Sequence, residues 1–257
     1  MIQYTDTHTH LYEEAFDGET DEAIRRAADA GVTRLVFPDI DSKTRAAMFD
    51  AAGRHEGTVF PCLGLHPTSV GADWKTEYGR MEEWIGKKRI YAIGEIAIDC
   101  HWSREFLQEQ KTVFEMQLKL AHEKDLPVII HSREATEQIF EVLEKCRHLS
   151  LRGVFHAYSG SIETFSRLQK YGDWYVGIGG VVTYRNASIA ETVKSIPLER
   201  ILLETDSPYL TPVPKRGSRN ESSYIPFIAG KIAVQKNTET EEIAEVTTVN
   251  ARTLFAF

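Results

Sequence analysis

Short apolar, β-branched stretches alternate with longer amphipathic ones from one end of this chain to the other, and that alternation restricts the fold more than any other feature. Strand patterns fall at 2–7, 33–38, 59–65, 90–95, 126–131, 153–156, 174–178 and 201–205. Between them lie stretches with apolar residues at three- and four-residue spacing, clearest over 106–123, where Phe114, Leu118 and Ala121 share a face. Eight βα units in 257 residues match the usual size of a (β/α)8 TIM barrel. An open doubly wound sheet would normally show a glycine-rich phosphate loop after its first strand, where this chain reads Thr-His-Thr-His. No Pro/Gly/Ser-rich linker, low-complexity segment or repeat interrupts the series. Residues 1–257 are therefore expected to form a single α/β barrel domain, with a last helix over 240–254 packed against it.

The carboxyl ends of the strands in such a barrel form the face where active sites are built. His8 and His10 follow the first strand pattern, Glu95 ends the fourth, His131 the fifth and His156 the sixth, and Asp206 follows the eighth. Residues two apart on a strand share a side, so both His8 and His10 can face the barrel mouth. A lone His-x-His is weak evidence, and a single strand-end histidine is often just a hydrogen-bonded core residue. Four histidines and two carboxylates on one face are harder to dismiss. Six nitrogen and oxygen ligands exceed what one ion with an open position requires, and a carboxylate can bridge ions about 3.5 to 4 Å apart. The expected arrangement puts His8 and His10 on one divalent ion, His131 and His156 on a second, and Glu95 between them. Such a donor set suits zinc, manganese, iron or cobalt, whereas magnesium usually prefers oxygen shells with several waters. Two divalent cations lower the pKa of a shared water and polarise a phosphoryl or carbonyl oxygen, so the implied reaction is hydrolysis. Asp206, at the mouth, is expected both to ligate metal and to take the proton of that water.

These residues sit in the strings TDTHTH, GLHP, GEIAID, PVIIH, FHAYSG and LLETDSPYL, the last followed by PVPKRGSRNES. Together they resemble the TatD family of metal-dependent deoxyribonucleases within the amidohydrolase superfamily, over nearly the whole chain, from His8 to Asn250, Ala251 and Arg252. The resemblance implies a barrel hydrolase with two divalent ions that removes nucleotides from DNA ends, chiefly as a 3′ to 5′ exonuclease on single strands. It also implies His66, in GLHP, near the substrate, and Glu204 behind the last ligand, with Asp99 placed likewise behind the ligands. Where the family commonly reads GEIGLDY, this chain has Ala97 and Cys100. Cys100 is expected to be a pocket wall, since an activated water already fills the nucleophile's role.

Phosphate binding calls for cations near the metals. Arg133, Arg104, Lys215, Arg216 and Arg219 lie in loops on the expected face, and Tyr209 and Trp102 can stack on a base. The net charge of −8 argues against a surface that tracks long nucleic acid, so DNA ends or short oligonucleotides are the expected partners. Three cysteines without CxxC spacing suggest neither a disulfide framework nor a thiolate zinc site, and the sequence shows neither a signal-peptide pattern nor a membrane span. A cytoplasmic monomer without an obligate protein partner is the expectation. Two rival readings are an amidohydrolase acting on a cyclic amide, lactone or phosphotriester, and a non-catalytic metal-binding module. Many amidohydrolases end the fourth strand in a carbamylated lysine, and Glu95 at that place favours the nuclease-like branch.

Overall fold

A computed structural model describes residues 2–257 and contains all eight strands, each parallel to its neighbours. They are β1 (Tyr4–Asp6), β2 (Val32–Phe37), β3 (Val59–Pro61), β4 (Ile93–Asp99), β5 (Val128–Arg133), β6 (Arg152–Phe155), β7 (Asp173–Ile178) and β8 (Ile201–Leu203). Helices α1 (Thr20–Asp29), α2 (Arg45–Arg54), α3 (Trp74–Glu82), α4 (Leu107–Glu123), α5 (Thr136–Lys145), α6 (Ile162–Leu168), α7 (Ile189–Ser195) and α8 (Ile225–Lys236) follow the strands in turn, and α9 (Thr240–Phe255) comes last.

Continuous ladders join β1 to β3 and β4 to β8, and two narrower seams close the ring. At the first seam the Leu63 N–H donates to the Ala92 carbonyl at 3.1 Å and the Gly94 N–H to the Leu63 carbonyl at 3.0 Å. At the second, the Thr7 N–H donates to the Leu203 carbonyl and the Asp206 N–H to the His8 carbonyl, both at 2.9 Å. The closed parallel ring with helices outside is a TIM barrel.

Two strands run further than their apolar patterns. β4 passes through Glu95 to Asp99, and β5 passes through His131 to Arg133, with Asp99 and Arg133 in register. Glu95 is thus the third residue of β4 and not its end. Apolar periodicity stops at the first polar side chain turned into the mouth, whereas the backbone ladder continues past it. β3 is shorter than expected, because after Cys62, whose N–H still donates to the Phe37 carbonyl, Leu63 turns to the first seam and Leu65 meets α4.

Helix α4 buries Phe114, Leu118 and Ala121 as their spacing predicts, together with two glutamines on the same flank. Gln117 accepts from the Leu65 N–H at 2.8 Å and donates to the Leu65 carbonyl at 3.2 Å. Gln110 does the same for Asp99, at 2.9 and 3.3 Å. A helix surface is thereby tied to two strand ends that carry polar chemistry. Helix α9 buries Ile243, Ala244, Ala251, Leu254 and Phe255, and its Asn250 amide donates to the carbonyls of Leu198 and Ile201. Among the described residues no helix is long and apolar enough to cross a membrane.

Candidate metal centre

The chain after β1 is fixed before it presents its histidines. Asp6 is fully buried; one oxygen accepts from the backbone N–H groups of His8 and Thr205, and the other from the Thr205 hydroxyl at 2.6 Å. Burial pushes its carboxyl up to about 6 against those bonds. The imidazoles of His8 and His10 then point the same way, with their Nε2 atoms 3.0 Å apart. Glu95 reaches the same place from β4; the Asp39 N–H donates to the Gly94 carbonyl and the Asp39 carbonyl accepts from the Glu95 N–H, and the carboxylate of Asp39 is gripped by buried Arg45 at 2.6 Å.

The two carboxylate oxygens of Glu95 divide the histidines between them. Oε2 lies 3.1 Å from His8 Nε2 and 3.6 Å from His10 Nε2, while Oε1 lies 2.7 Å from both His131 Nδ1 and His156 Nε2. Asp206 Oδ1 joins the first group, 3.6 and 3.7 Å from His8 and His10. All six residues named from strand ends are therefore brought to one buried locus.

Hydrogen bonds behind the rings decide which nitrogens carry lone pairs. The Tyr12 hydroxyl has a single proton and donates it to the Pro38 carbonyl, so at 2.8 Å it accepts from His10 Nδ1–H. His10 Nε2 is left with its lone pair facing Glu95. The carboxylate of Asp99, 2.9 Å from His131 Nε2, accepts a proton there, and Glu95 Oε1 accepts from Nδ1 at 2.7 Å, so against its burial the two carboxylates raise this imidazole; a cation between Nδ1 and Glu95 would take the place of that second proton. Burial raises the Asp99 carboxyl, but His131 and the N–H groups of His101 and Trp102 outweigh it and bring it down to about 2. His66 is the opposite case. Its Nδ1 accepts from the Thr68 N–H at 3.2 Å, so the proton of the neutral ring is on Nε2, 3.3 Å from Glu95 Oε1. Although His66 lies near enough to count as a ligand, this tautomer makes it a donor. Tyr12→Phe is expected to leave the fold intact and weaken cation binding by about 10- to 100-fold, the usual cost of losing a partner behind a ligand; competition with a chromophoric chelator measures it, and unchanged affinity would show that Tyr12 does not set the tautomer.

The electrostatics match cation binding. Despite burial, which raises it, the carboxyl of Glu95 is held well below the usual range by His156, His66 and His8. Burial opposes protonation of His156, yet Glu95, Glu204 and Asp206 push it up to about 10. Positive charge is thus what the carboxylates demand, and imidazole and carboxylate donors are the types that hold divalent transition metals. The groups His8, His10, Glu95 and His8, His156, Glu204 are each compact enough to hold an ion.

The resemblance implies Glu204 behind the last ligand, Asp206; in the structure it lies behind His156, past the end of β8 at Leu203 and just before Asp206 at φ 56°. Its Oε1 accepts from the Ala157 N–H at 2.5 Å and lies 3.8 Å from His156 Nδ1, while Oε2 has no partner among the described residues. Burial drives this carboxyl up to about 8. Space for it comes from Gly177, where a Cβ would stand 1.8 Å from Glu204 Oε2.

The rim is looser. Arg104, Arg133 and Arg216 are exposed, and among the described residues none makes an ion pair or side-chain hydrogen bond with the six central groups. Arg133 lies over the ring of Trp102 and Arg216 over that of Tyr184. Tyr209 donates to Glu13 at 3.0 Å and is 54% exposed. Arg219 is pulled away from the expected basic cluster by Glu19, at 2.6 Å, and by the Ala15 carbonyl. Cys100 is buried and burial raises its thiol, which disfavours a nucleophilic thiolate. Ala97 has φ 103°, a conformation glycine adopts at less cost, which accounts physically for the glycine common in similar motifs. Sequence reasoning missed Asp6, Tyr12, Gln110 and Gln117. Tyr12 alone carried a usable signal, since it continues the two-residue alternation of His8 and His10.

A closed parallel barrel with four imidazoles and two carboxylates converging at its mouth defines a metal-dependent hydrolase. The family profile described as "TatD related DNase" matches residues 5–256. The chain belongs to the TatD family. It is 38% identical over 251 residues to the uncharacterized metal-dependent hydrolase YabD of Bacillus subtilis, covering 97% of this chain and 98% of that protein. Against the uncharacterized metal-dependent hydrolase TatD of Mycobacterium tuberculosis it is 33% identical over 260 residues, with 96% of each chain covered. The crystal structure of YjjV, a TatD homolog from Escherichia coli K12, superposes with a TM-score of 0.91 at 27% identity, covering 99% of this chain and 98% of that one.

Proposed function

We propose that this hydrolase cleaves phosphodiester bonds at the 3′ ends of single-stranded DNA, using two divalent cations. The observation that carries the reading is the division of Glu95, one oxygen facing His8 and His10 and the other His131 and His156. His8, His10 and Asp206 would hold one cation, His131 and His156 the other, and Glu95 both. When bound, such a pair supplies a water activated near neutral pH and neutralises charge on a phosphoryl oxygen. The deoxyribonuclease named in the family's description supports a nucleic-acid substrate.

The chain's own groups complete the chemistry. Asp206 is part-exposed at the mouth, and burial raises its carboxyl, so it is suited to accept the proton of the attacking water. His66 Nε2–H donates to an oxygen of the phosphodiester. Arg133, Arg104 and Arg216 meet the flanking phosphates as exposed cations, and Tyr209 offers an exposed ring to a base. The acidic chain as a whole disfavours long duplex, so substrate is held at an end.

Single-stranded DNA labelled at either end, offered to chelator-treated protein with and without added manganese, zinc or magnesium, tests this. Shortening from the 3′ end that depends on the cation is expected. Intact DNA under every metal, alongside turnover of a lactone, cyclic amide or phosphotriester, would sink the reading.

A further inference from the structure

We infer that a pocket beside His156 receives the base of the terminal nucleotide and admits a pyrimidine in preference to a purine. The inference rests on the phosphodiesterase reading above. The pocket has a volume of about 160 Å³ and lies between the segments that follow β5 and β6, over α5 and α6. His156 forms part of its wall while its Nε2 lies 2.7 Å from Glu95 Oε1, so the pocket begins one side chain from the reacting centre.

Its lining selects against phosphate. No lysine or arginine borders it, and its one carboxylate, Glu134, is already paired with His101 at 2.7 Å. An anion entering here meets a negative charge and no lysine or arginine to offset it. The floor is apolar, with Phe140, Phe155 and Leu168, and the edges carry hydroxyls. Among the described residues the hydroxyls of Ser132, Thr136 and Ser159 make no hydrogen bond, so each is free to rotate and either donate or accept. A flat uncharged ring with both donors and acceptors on its edge fits this combination, and a nucleobase is such a ring. Size then discriminates among bases: an apolar cavity of roughly 150 Å³ takes up benzene, so this pocket takes one six-membered ring and not a fused pair.

The test uses the full chain freed of metal, titrated calorimetrically with thymidine, deoxyadenosine and 2-deoxyribose, in wild type and in Thr164→Phe, which projects a ring into the pocket from α6. Thymidine is expected to bind at least about tenfold more tightly than deoxyadenosine, deoxyribose not measurably, and Thr164→Phe to weaken thymidine at least about tenfold. If Thr164→Phe does not fold, Thr136→Leu, on the opposite rim, replaces a hydroxyl with apolar bulk and gives the same comparison. Equal affinities for the two nucleosides, binding of deoxyribose alone, or thymidine affinity unaffected by both variants would overturn the inference. Parallel assays on strands ending in thymidine or deoxyadenosine separate the two levels. Cation-dependent trimming without nucleoside binding removes the pocket and keeps the nuclease; thymidine binding with no trimming of any strand supports the pocket and removes the nuclease.

Discussion

Glu95→Ala is expected to abolish cation-dependent hydrolysis, lowering kcat/KM by at least about 100- to 1000-fold, the scale of losing one preorganised charge-stabilising group. The effect is predicted to exceed that of any single histidine, because the carboxylate of Glu95 faces both groups: its two oxygens lie within 3.6 Å of His8, His10, His131 and His156. Alanine removes the negative charge that faces four imidazoles, and with it the reason for two cations to sit together. Metal content by elemental analysis should therefore fall along with activity. Glu95→Gln keeps the shape and one acceptor but not the charge, so it should fold normally and remain nearly as inactive. A mutant with full activity, or with undiminished metal content, would show that the division of the histidines by this carboxylate is not the basis of catalysis.

The second large effect is predicted at a residue with no functional group. Gly177→Ala should lower the melting temperature by roughly 5 to 15 °C, since about 1 kcal/mol shifts a chain of this size by about 2 to 4 °C. An added Cβ would stand 1.8 Å from Glu204 Oε2, 2.6 Å from its Cδ and 3.2 Å from the Cα of His156. Glu204 is fully buried and has no solvent to swing into. Overpacking of this kind costs about 1 to 3 kcal/mol. Displacing the carboxylate also takes the acceptor from the Ala157 N–H, which adds about 1 to 3 kcal/mol if that group is left unsatisfied. Because both penalties act through Glu204, the Gly177→Ala, Glu204→Ala double mutant should be little less stable than Glu204→Ala alone. Additive losses in a thermal denaturation series would contradict the packing argument.

These two residues mark how far the sequence could be read. Glu95 was recognisable because a carboxylate at the end of an apolar strand pattern is out of place, and the same oddity exposed His131, His156 and the pair His8 and His10. Each signal was local, carried by a residue type that its own neighbours do not predict. Gly177 had no such signal: a glycine in a strand is ordinary, and its reason is the side chain of Glu204, just past the end of the neighbouring strand. Gln110 and Gln117 were hidden for a related cause, since polar residues on an amphipathic helix read as a solvated face until the loops they hold are seen. The number of strands was legible from apolar periodicity, but not their extents, because Glu95 and His131 turn polar side chains into the barrel while the ladder runs on. His66 shows a third kind of limit. Its proximity to the ligands follows from a motif, but its role as donor depends on the Thr68 N–H, a contact of backbone geometry.

The two seams of the barrel carry one more consequence. His8 and His10 belong to the strand group β1 to β3, whereas Glu95, His131, His156 and Asp206 come from the group β4 to β8. A chain in which each group has formed but the ring is still open possesses only fragments of the ligand set, held apart. Hydrolytic competence therefore requires a closed ring, because only closure brings the two groups' ligands to one place.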